Sequence, residues 1–359
     1  MNDLQPKLQA AFPGLLFESE VLLAPFTAIN IGGPAEVLVS ITATSDLEAV
    51  IIYCQQQQIN FTMLGWGANT LIADRGIRGL VIRNRTNELE ILEEGVGQDQ
   101  LQVALQPRHQ AITPAQEFST LDYQEAENTP RVRVSVASGW PFPSLIAKLL
   151  SQGVTGLQWY SRIPATVGGA VVNNIHGGTH FISEIIDSIT VLNSHNQVVK
   201  LSREQCEFEY DYSRFHHSNE VILSVQFLLW RGDAKRAQTA LGEWAKRKQM
   251  QPQRSLGCVF QNISSEDQER LHLPTPGVGY IVDQVLNLKG KRIGGAQISL
   301  QHAAFIENVG DASAQDYLTL LLEIRQAATE QLGILLMPEI FFKGFSDTEL
   351  SELQTDNSL

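Results

Sequence analysis

The chain has 359 residues, of which 43% are apolar and 18% are charged, and its formal net charge is -13 at pH 7. This length predicts two or three domains, and the composition is typical of a folded soluble protein rather than a disordered one. Because the charge is acidic and no block of lysine and arginine stands out, the sequence argues against a nucleic-acid-binding surface.

Cysteine spacing and hydropathy argue against several further kinds of protein. Cys54, Cys206 and Cys258 show no CxxC spacing and are odd in number, which argues against a disulfide framework and a cysteine zinc site. We expect no metal site. The first residues, MNDLQPKLQA, lack the pattern of a signal peptide, and no apolar run is long enough for a membrane helix. We therefore expect a cytoplasmic protein with no membrane insertion.

The first part of the chain alternates strand and helix patterns. A short helix is predicted near residues 4–12, and apolar strand-like stretches broken by glycines follow up to residue 41. A helix over TSDLEAVIIYCQQQQI then leads to the strand NFTMLG. The glycine-rich turn GWGANT at 65–70 comes next. Such a turn presents backbone N–H groups to an anion, but the same residues also form ordinary tight turns.

The middle of the chain carries a second glycine-rich stretch. Residues 99–130 are polar, and we expect a surface excursion between the strands ELEIL and RVRVSVAS. An amphipathic helix over PFPSLIAKLLSQGV is predicted to end at Gly153. The stretch IPATVGG at 163–169 permits close approach of a ligand or forms a tight bend into a buried element. Because two such stretches occur in one chain, we favour a single extended ligand.

The last third contains two clear helix patterns. One covers DAKRAQTALGEWAKRKQM, and the other covers SAQDYLTLLLEIRQAATEQLG. Ser313 and Asp316 stand at the positions of a capping box, and Gly333 is a stop signal. The coarse picture is an α+β protein in three pieces.

Five stretches carry a resemblance to a known family: TAINIGGPAEVLV, LGWGANTLIADRGIRGLVI, IPATVGGAVVNN, GKRIGGAQIS and MPEIFF. In this order they resemble the UDP-N-acetylenolpyruvoylglucosamine reductase family from about residue 20 to 345. The resemblance implies an α+β fold with a two-part FAD-binding domain of the vanillyl-alcohol-oxidase (PCMH) type and a C-terminal α+β substrate-binding domain. The implied parts are 19–85, 86–226 with the insertion near 99–130, 227–345, and a tail at 346–359.

The resemblance also implies a reaction and a cofactor site. In the family, NADPH reduces FAD, and the reduced flavin converts the enolpyruvyl ether of UDP-N-acetylglucosamine enolpyruvate to UDP-N-acetylmuramate for peptidoglycan synthesis. The expected partners are this UDP-sugar and NADPH, and the expected assembly is a monomer or weak oligomer. The implied FAD-binding residues are Gly65, Trp66, Gly67, Ala68, Asn69, Thr70, Ile163, Pro164, Ala165, Thr166, Gly168 and Gly169.

The family's proton donor is a serine in a GSxFxN motif, and the matching 257-GCVFQN-262 has Cys258 in its place. A thiol is more acidic than a serine hydroxyl, so we expect Cys258 to donate the proton, the alternative being a small buried cysteine without chemistry. Glu339 matches the family's catalytic glutamate, and Asn262 matches a substrate-binding asparagine. Lys248 either meets the substrate phosphate or is an ordinary solvated helix lysine.

One position departs from the family pattern in charge. The arginine that would steady the substrate's developing negative charge lies in FGYRxS, and the matching 208-FEYDYS-213 has Asp211 there. A carboxylate at this place would repel that charge. Arg214 is the first candidate for the missing cation if the backbone turns here, and Arg162 and Arg254 are the others.

Two other functions stay open on the sequence. An FAD-dependent oxidase of the same superfamily would share the first two parts, but the motifs of the C-terminal third resemble the reductase specifically. A non-catalytic flavin or sugar-nucleotide binding relative is the second alternative. Asp211 is the feature that favours it.

Overall fold

The computed structural model describes residues 3–96, 125–126, 128–177, 180–248 and 251–353, apart from the side chains of Val96, Arg247 and Lys248. The predicted polar insertion near 99–130 therefore lies almost entirely outside the described residues. In the described part, no helix combines the length and the apolar character that crossing a membrane would require.

The helices are α1 (Leu4–Ala11), α2 (Thr44–Gln56), α3 (Phe142–Ser151), α4 (Val167–Val172), α5 (Ala234–Lys248), α6 (Ser265–Arg270), α7 (Val278–Tyr280), α8 (Ala314–Leu332) and α9 (Asp347–Leu350). The strands are β1 (Phe17–Leu22), β2 (Pro34–Ile41), β3 (Phe61–Leu64), β4 (Thr70–Ile72), β5 (Ile77–Asn84), β6 (Leu89–Val96), β7 (Arg131–Ala137), β8 (His176–Gly177), β9 (His180–Phe181), β10 (Ile186–Leu192), β11 (Val198–Ser202), β12 (Val221–Trp230), β13 (Ser255–Cys258), β14 (Arg292–Ile293), β15 (Ala296–Ile298), β16 (Phe305–Asn308) and β17 (Phe341–Lys343).

The first sheet has the strand order β1-β2-β5-β3. β1 runs antiparallel to β2, whereas β2 and β3 both run parallel to β5. Helix α2 supplies the crossover, and its Leu47, Val50 and Ile51 are fully buried on one face of the sheet. This strand–helix–strand arrangement delivers the chain from the end of β3 into the turn at 65–70.

The second sheet is antiparallel throughout, with the order β11-β10-β12-β7-β6. Helices α3 and α4 bury apolar side chains against it, among them Leu145, Leu149 and Val167. Strands β10 and β11 form an antiparallel hairpin around residues 194–196. Strand β12 continues to Trp230, past the boundary predicted at residue 226, and the domain boundaries themselves stay a prediction.

The third sheet, β13-β16-β15-β14, packs on the long helix α8. The predicted capping box is present, because Ser313 and Asp316 exchange side-chain to backbone hydrogen bonds. Gly333 ends the helix in the left-handed conformation at φ 65°. The buried face of α8 includes Tyr317 and Leu321.

The C-terminal part returns to the N-terminal part at two places. Strand β17 pairs in parallel with β4, so that Phe341 lies opposite Thr70. The buried Asn308 donates from Nδ2 to the carbonyl of Ile29 at 3.0 Å and accepts from the backbone of Gly310 and Ala312. These contacts place residues after 337 beside the glycine-rich turn that follows β3.

Candidate active site

The turn at 65–70 is shaped to expose backbone donors. Gly67 has φ 65°, and a Cβ atom there would clash with the carbonyl oxygen of Phe26, so only glycine fits without strain. Within the described structure, the N–H groups of residues 66–69 donate to no protein acceptor. Trp66 is 41% exposed beside them. Unsatisfied N–H groups on one turn are what a pyrophosphate requires, so this turn fits the predicted FAD.

The second glycine-rich stretch lies directly against the first. A Cβ atom on Gly65 would come within 2.7 Å of Thr166 Oγ1. Thr166 caps α4 by accepting from the Gly169 backbone at 3.3 Å, and the Gly168 N–H donates to Ser138 O at 2.7 Å. The N–H groups of both glycines are thus used within the protein. This stretch can offer its surface to a flavin, with Ile163, Pro164 and Ala165 half-buried or exposed.

Three chain segments converge on Glu339. Its backbone N–H donates to Val259 O at 2.9 Å, and its carbonyl accepts from Asn69 Nδ2 at 3.0 Å. One hydrogen of the Asn69 side-chain amide is therefore used within the protein, whereas the backbone N–H of this residue has no protein acceptor in the described structure. Because Val259 follows Cys258, these bonds bring the thiol, the Glu339 carboxyl and the 65–70 turn to one place.

Cys258 is in an environment unlike that of the other two cysteines. Cys54 and Cys206 are fully buried, and Cys206 lies near Arg214 as well as several glutamates, whereas Cys258 is half-buried and has only the acids Glu339 and Asp211 acting on it among the described side chains. Burial raises the pKa of the Cys258 thiol, and the charges of Glu339 and Asp211 raise it further. The thiol consequently carries its proton at neutral pH. A protonated group is the form a proton donor needs.

Asp211 lies at the tip of a tight turn. Glu209 and Tyr212 pair through two backbone hydrogen bonds of 3.1 and 3.4 Å, and Asp211 between them has φ 50°. Aspartate tolerates this left-handed conformation better than most residues. Asn174 fixes the turn by donating to Glu209 O at 2.7 Å. The Asp211 side chain is buried as a result.

The Asp211 and Glu339 carboxyl groups lie in hydrogen-bonding contact. Burial raises the pKa of Asp211 to about 6, although hydrogen bonds from Glu339 and Tyr210 act in the opposite direction. Burial also raises the pKa of Glu339 well above its ordinary value, and the neighbouring Asp211 raises it further. The pKa values of both carboxyl groups are therefore raised, because two adjacent buried negative charges are disfavoured.

Arg214, the first candidate for the missing cation, contacts an acidic side chain of its own. The backbone does turn before it, but the guanidinium pairs with Glu220, with Nε 3.1 Å from Oε2, and donates to Gln205 O at 2.9 Å. No arginine contributes to the pKa shifts of Cys258, Asp211 or Glu339 in the part of the chain that the structure describes. In the structure Arg214 thus pairs with Glu220 rather than with Asp211 or Glu339, and its role as the missing cation stays a prediction.

Asn262 and Tyr210 extend the site on one side. Asn262 Nδ2 donates to the Tyr210 hydroxyl at 3.4 Å, and its Oδ1 accepts from the Val278 N–H at 3.3 Å. Tyr210 was not predicted, although it directly precedes Asp211 in the motif that drew attention to that residue. The side chain of Lys248 lies outside the described structure. No group of three metal-ligating side chains occurs among the described residues.

Comparison with known proteins supports the same assignment. Residues 249–342 match the C-terminal domain of UDP-N-acetylenolpyruvoylglucosamine reductase, and residues 119–202 match an FAD binding domain. The UDP-N-acetylenolpyruvoylglucosamine reductase of Nostoc sp. (strain PCC 7120) is 32% identical over 332 residues, covering 91% of this chain and 86% of the relative. This chain belongs to the UDP-N-acetylenolpyruvoylglucosamine reductase family. The corresponding reductase of Synechococcus sp. (strain WH7803) is 30% identical, covering 92% of this chain and 94% of the relative.

The fold agrees with this membership. The crystal structure of the UDP-N-acetylenolpyruvylglucosamine reductase of Thermus caldophilus superposes with a TM-score of 0.65, covering 92% of this chain and 98% of that one at 23% identity. The predicted family and fold class, a two-part FAD-binding domain with a C-terminal domain, are confirmed. The match at 249–342 also argues against the oxidase alternative, because that part carries the reductase family's own C-terminal domain.

Proposed function

We propose that this protein reduces the enolpyruvyl ether of UDP-N-acetylglucosamine enolpyruvate to UDP-N-acetylmuramate, with NADPH as the electron source. The observation that carries the proposal is the convergence of a protonated Cys258 thiol, the Glu339 carboxyl and the exposed N–H groups of the 65–70 turn. Bound FAD would take electrons from NADPH and supply hydride to the substrate. The proposed setting is the cytoplasm, with the protein as a monomer or weak oligomer.

Cys258 is the proposed proton donor. Hydride addition to the terminal carbon of the enol ether leaves an electron pair delocalised on the adjacent carbon and its carboxyl group. The Cys258 S–H bond breaks as a C–H bond forms at that carbon, and the resulting thiolate takes up a proton from solvent. Its raised pKa keeps the thiol protonated until the proton is transferred to the carbon.

The remaining residues position the two ligands. The N–H groups of Trp66, Gly67, Ala68 and Asn69 would hold the FAD pyrophosphate, next to Thr70 at the start of β4. Residues 163–166, 168 and 169 would form the surface against the flavin, because Thr166 in this stretch lies against Gly65 of the same turn. Asn262, which donates to the Tyr210 hydroxyl, is proposed to orient the substrate, and Lys248 is proposed to meet its phosphates.

The test is NADPH oxidation by the purified protein under anaerobic conditions, with and without UDP-N-acetylglucosamine enolpyruvate. Substrate-dependent oxidation is expected in the native protein. Cys258→Ala should lose about 10²- to 10⁴-fold in substrate reduction, the usual range for general acid catalysis, while NADPH still bleaches the flavin. Cys258→Ser should retain appreciable turnover, and Cys54→Ala is the matched control because Cys54 lies in the core of the first sheet.

The outcomes distinguish a proton-donating Cys258 from a structural one. Full turnover in Cys258→Ala would reject Cys258 as the donor, and loss of flavin would show that the residue is structural. A second candidate function, a flavin or sugar-nucleotide binder without turnover, is favoured by one observation: the buried acid Asp211 stands where the family has a cation. A yellow native protein that oxidises no NADPH with this substrate would support that candidate.

A further inference from the structure

Two carboxyl groups in contact constitute the least expected feature of the site. Asp211 and Glu339 are within hydrogen-bonding contact, yet both are acceptors when ionised. The buried Asp211 Oδ2 receives no hydrogen bond from a protein donor in the described structure. A contact of this kind becomes a hydrogen bond only when one of the two groups carries a proton.

We propose that Asp211 is a positioning residue that holds a proton on Glu339, so that a neutral carboxyl group, rather than a cation, meets the negative charge developing on the substrate. The inference rests on the proposed reductase function and concerns residues of the same site. It assigns a purpose to the one position at which this chain reverses the charge of its family's motif.

The backbone holds Asp211 in place for this purpose. The turn between Glu209 and Tyr212 fixes its left-handed conformation, and the turn is tied to α4 by Asn174 and by Ser213, whose hydroxyl donates to Val172 O at 2.6 Å. Glu339 is fixed from the other side by its backbone bonds to Val259 and Asn69. The two carboxyl groups therefore meet on separate, rigid supports.

The surrounding groups favour one shared proton. Tyr210 faces Asp211, Cys258 faces both carboxyl groups, and the buried Tyr317 of α8 lies near Cys258. All of these are neutral at pH 7 and become negative on ionisation, since burial and nearby acids raise their pKa values. Since no cation among the described side chains acts on it, the pair avoids two adjacent buried charges by retaining a proton.

The chemistry needs a hydrogen-bond donor at the substrate carboxyl group. When the electron pair moves onto that group, the Glu339 O–H donates a hydrogen bond to it and keeps its own proton. The Cys258 proton then goes to carbon, and the electron pair returns from the carboxyl group to form the C–H bond. A buried neutral acid can stabilise an oxyanion in this way.

The test compares Asp211→Asn with the native protein, using Glu339→Gln as the second variant. In Asp211→Asn the neighbouring charge is gone, so Glu339 should lose its proton at lower pH. The kcat of the native enzyme should fall as rising pH removes the proton from the pair. That fall should move to lower pH in Asp211→Asn by about one to two pH units, giving about a 10- to 100-fold loss at pH 8 and little loss at pH 6.

A second readout needs neither NADPH nor the UDP-sugar. Infrared spectra of the oxidised native protein at pH 7 should show the band of a protonated carboxyl group, shifted in D₂O. The band should be absent from Glu339→Gln and should disappear at lower pH in Asp211→Asn. Asp283→Asn, which removes an exposed acid paired with Lys289 at 2.8 Å, is the control and should change neither readout.

The results of these two measurements distinguish the proposed role of Asp211 from its alternatives. A native protein without the band at pH 7, or with a band that survives in Glu339→Gln, would overturn the proposal. A kcat profile in Asp211→Asn that is lowered equally at every pH would show a purely structural role. If the band behaves as expected but no NADPH is consumed with the UDP-sugar, the proton-sharing pair stands and the reductase function fails.

Discussion

Replacing Asp211 by asparagine should stabilise the protein, and by an amount that depends on pH. The side chain is only 7% exposed, and burial raises its pKa from an ordinary 3.8 to about 6. A shift of this size corresponds to roughly 3 kcal/mol at about 1.4 kcal/mol for each pH unit. The asparagine amide has hydrogen bonds of its own to satisfy, so we expect a net gain of about 1–3 kcal/mol at pH 7.

The pH dependence of this stability difference follows from protonation of Asp211 in the folded chain and in the unfolded chain. Below pH 3.8 the carboxyl group is neutral in both the folded and the unfolded chain, and it contributes no pH dependence. Between pH 3.8 and about 6 the unfolded chain ionises first, so the native protein loses stability as pH rises. Above about pH 6 the carboxyl group is ionised in both the folded and the unfolded chain, and the native protein loses no further stability. The advantage of Asp211→Asn should therefore grow through this window and then level off.

Urea unfolding at several pH values between 4.5 and 7.5 measures this difference directly, provided that the m-values of the two proteins agree. Glu220→Gln serves as a comparison, because Glu220 is a paired carboxylate whose loss should destabilise the protein. A variant Asp211→Asn that is less stable than the native protein at pH 7, or equally more stable at every pH, would refute the description of a buried, proton-sharing pair.

Three further outcomes are expected. Gly67→Ala should reduce flavin content at least tenfold by absorbance, because its Cβ would clash with the Phe26 carbonyl, whereas Gly153→Ala has a similar φ of 73° with open space and should keep its flavin. Asn308→Ala should lower the free energy of unfolding by about 2–4 kcal/mol in urea, since four hydrogen bonds of a buried side chain are lost. Arg214→Gln should keep kcat within a few-fold of native, and a loss beyond 100-fold would return Arg214 to the site.

Local signals in the sequence predicted the elements that depend on neighbours in the chain. The capping box at Ser313 and the stop at Gly333 placed α8, because caps act within four residues. The motifs around Cys258 and Glu339 also singled out two side chains that lie near each other in the structure. That these groups would lie side by side came from the resemblance, and no periodicity in the chain shows it.

Long-range contacts were beyond the reach of these signals. The pairing of β4 with β17 joins residues about 270 positions apart, and no local pattern specifies it. The partner of Arg214, Glu220, is only six residues further along the chain, but their ion pair depends on a turn that the strand-like sequence before Arg214 does not predict. The direction of the Asp211 side chain depends on the left-handed conformation of Asp211 itself within a short turn. The strand-like sequence around it does not predict this conformation.

The two departures from the family's motifs are physically linked. A cation beside a cysteine lowers the pKa of the thiol and favours the thiolate, which has no proton to donate. The acidic pair formed by Asp211 and Glu339 acts in the opposite direction and raises the pKa of Cys258. A cysteine donor is therefore compatible with an aspartate at position 211 in a way that it would not be with an arginine. A serine hydroxyl has no such requirement, because it stays protonated beside either charge. Exchanging the donor and exchanging the charge are thus two parts of one solution, in which neutral acids replace a cation and an alcohol.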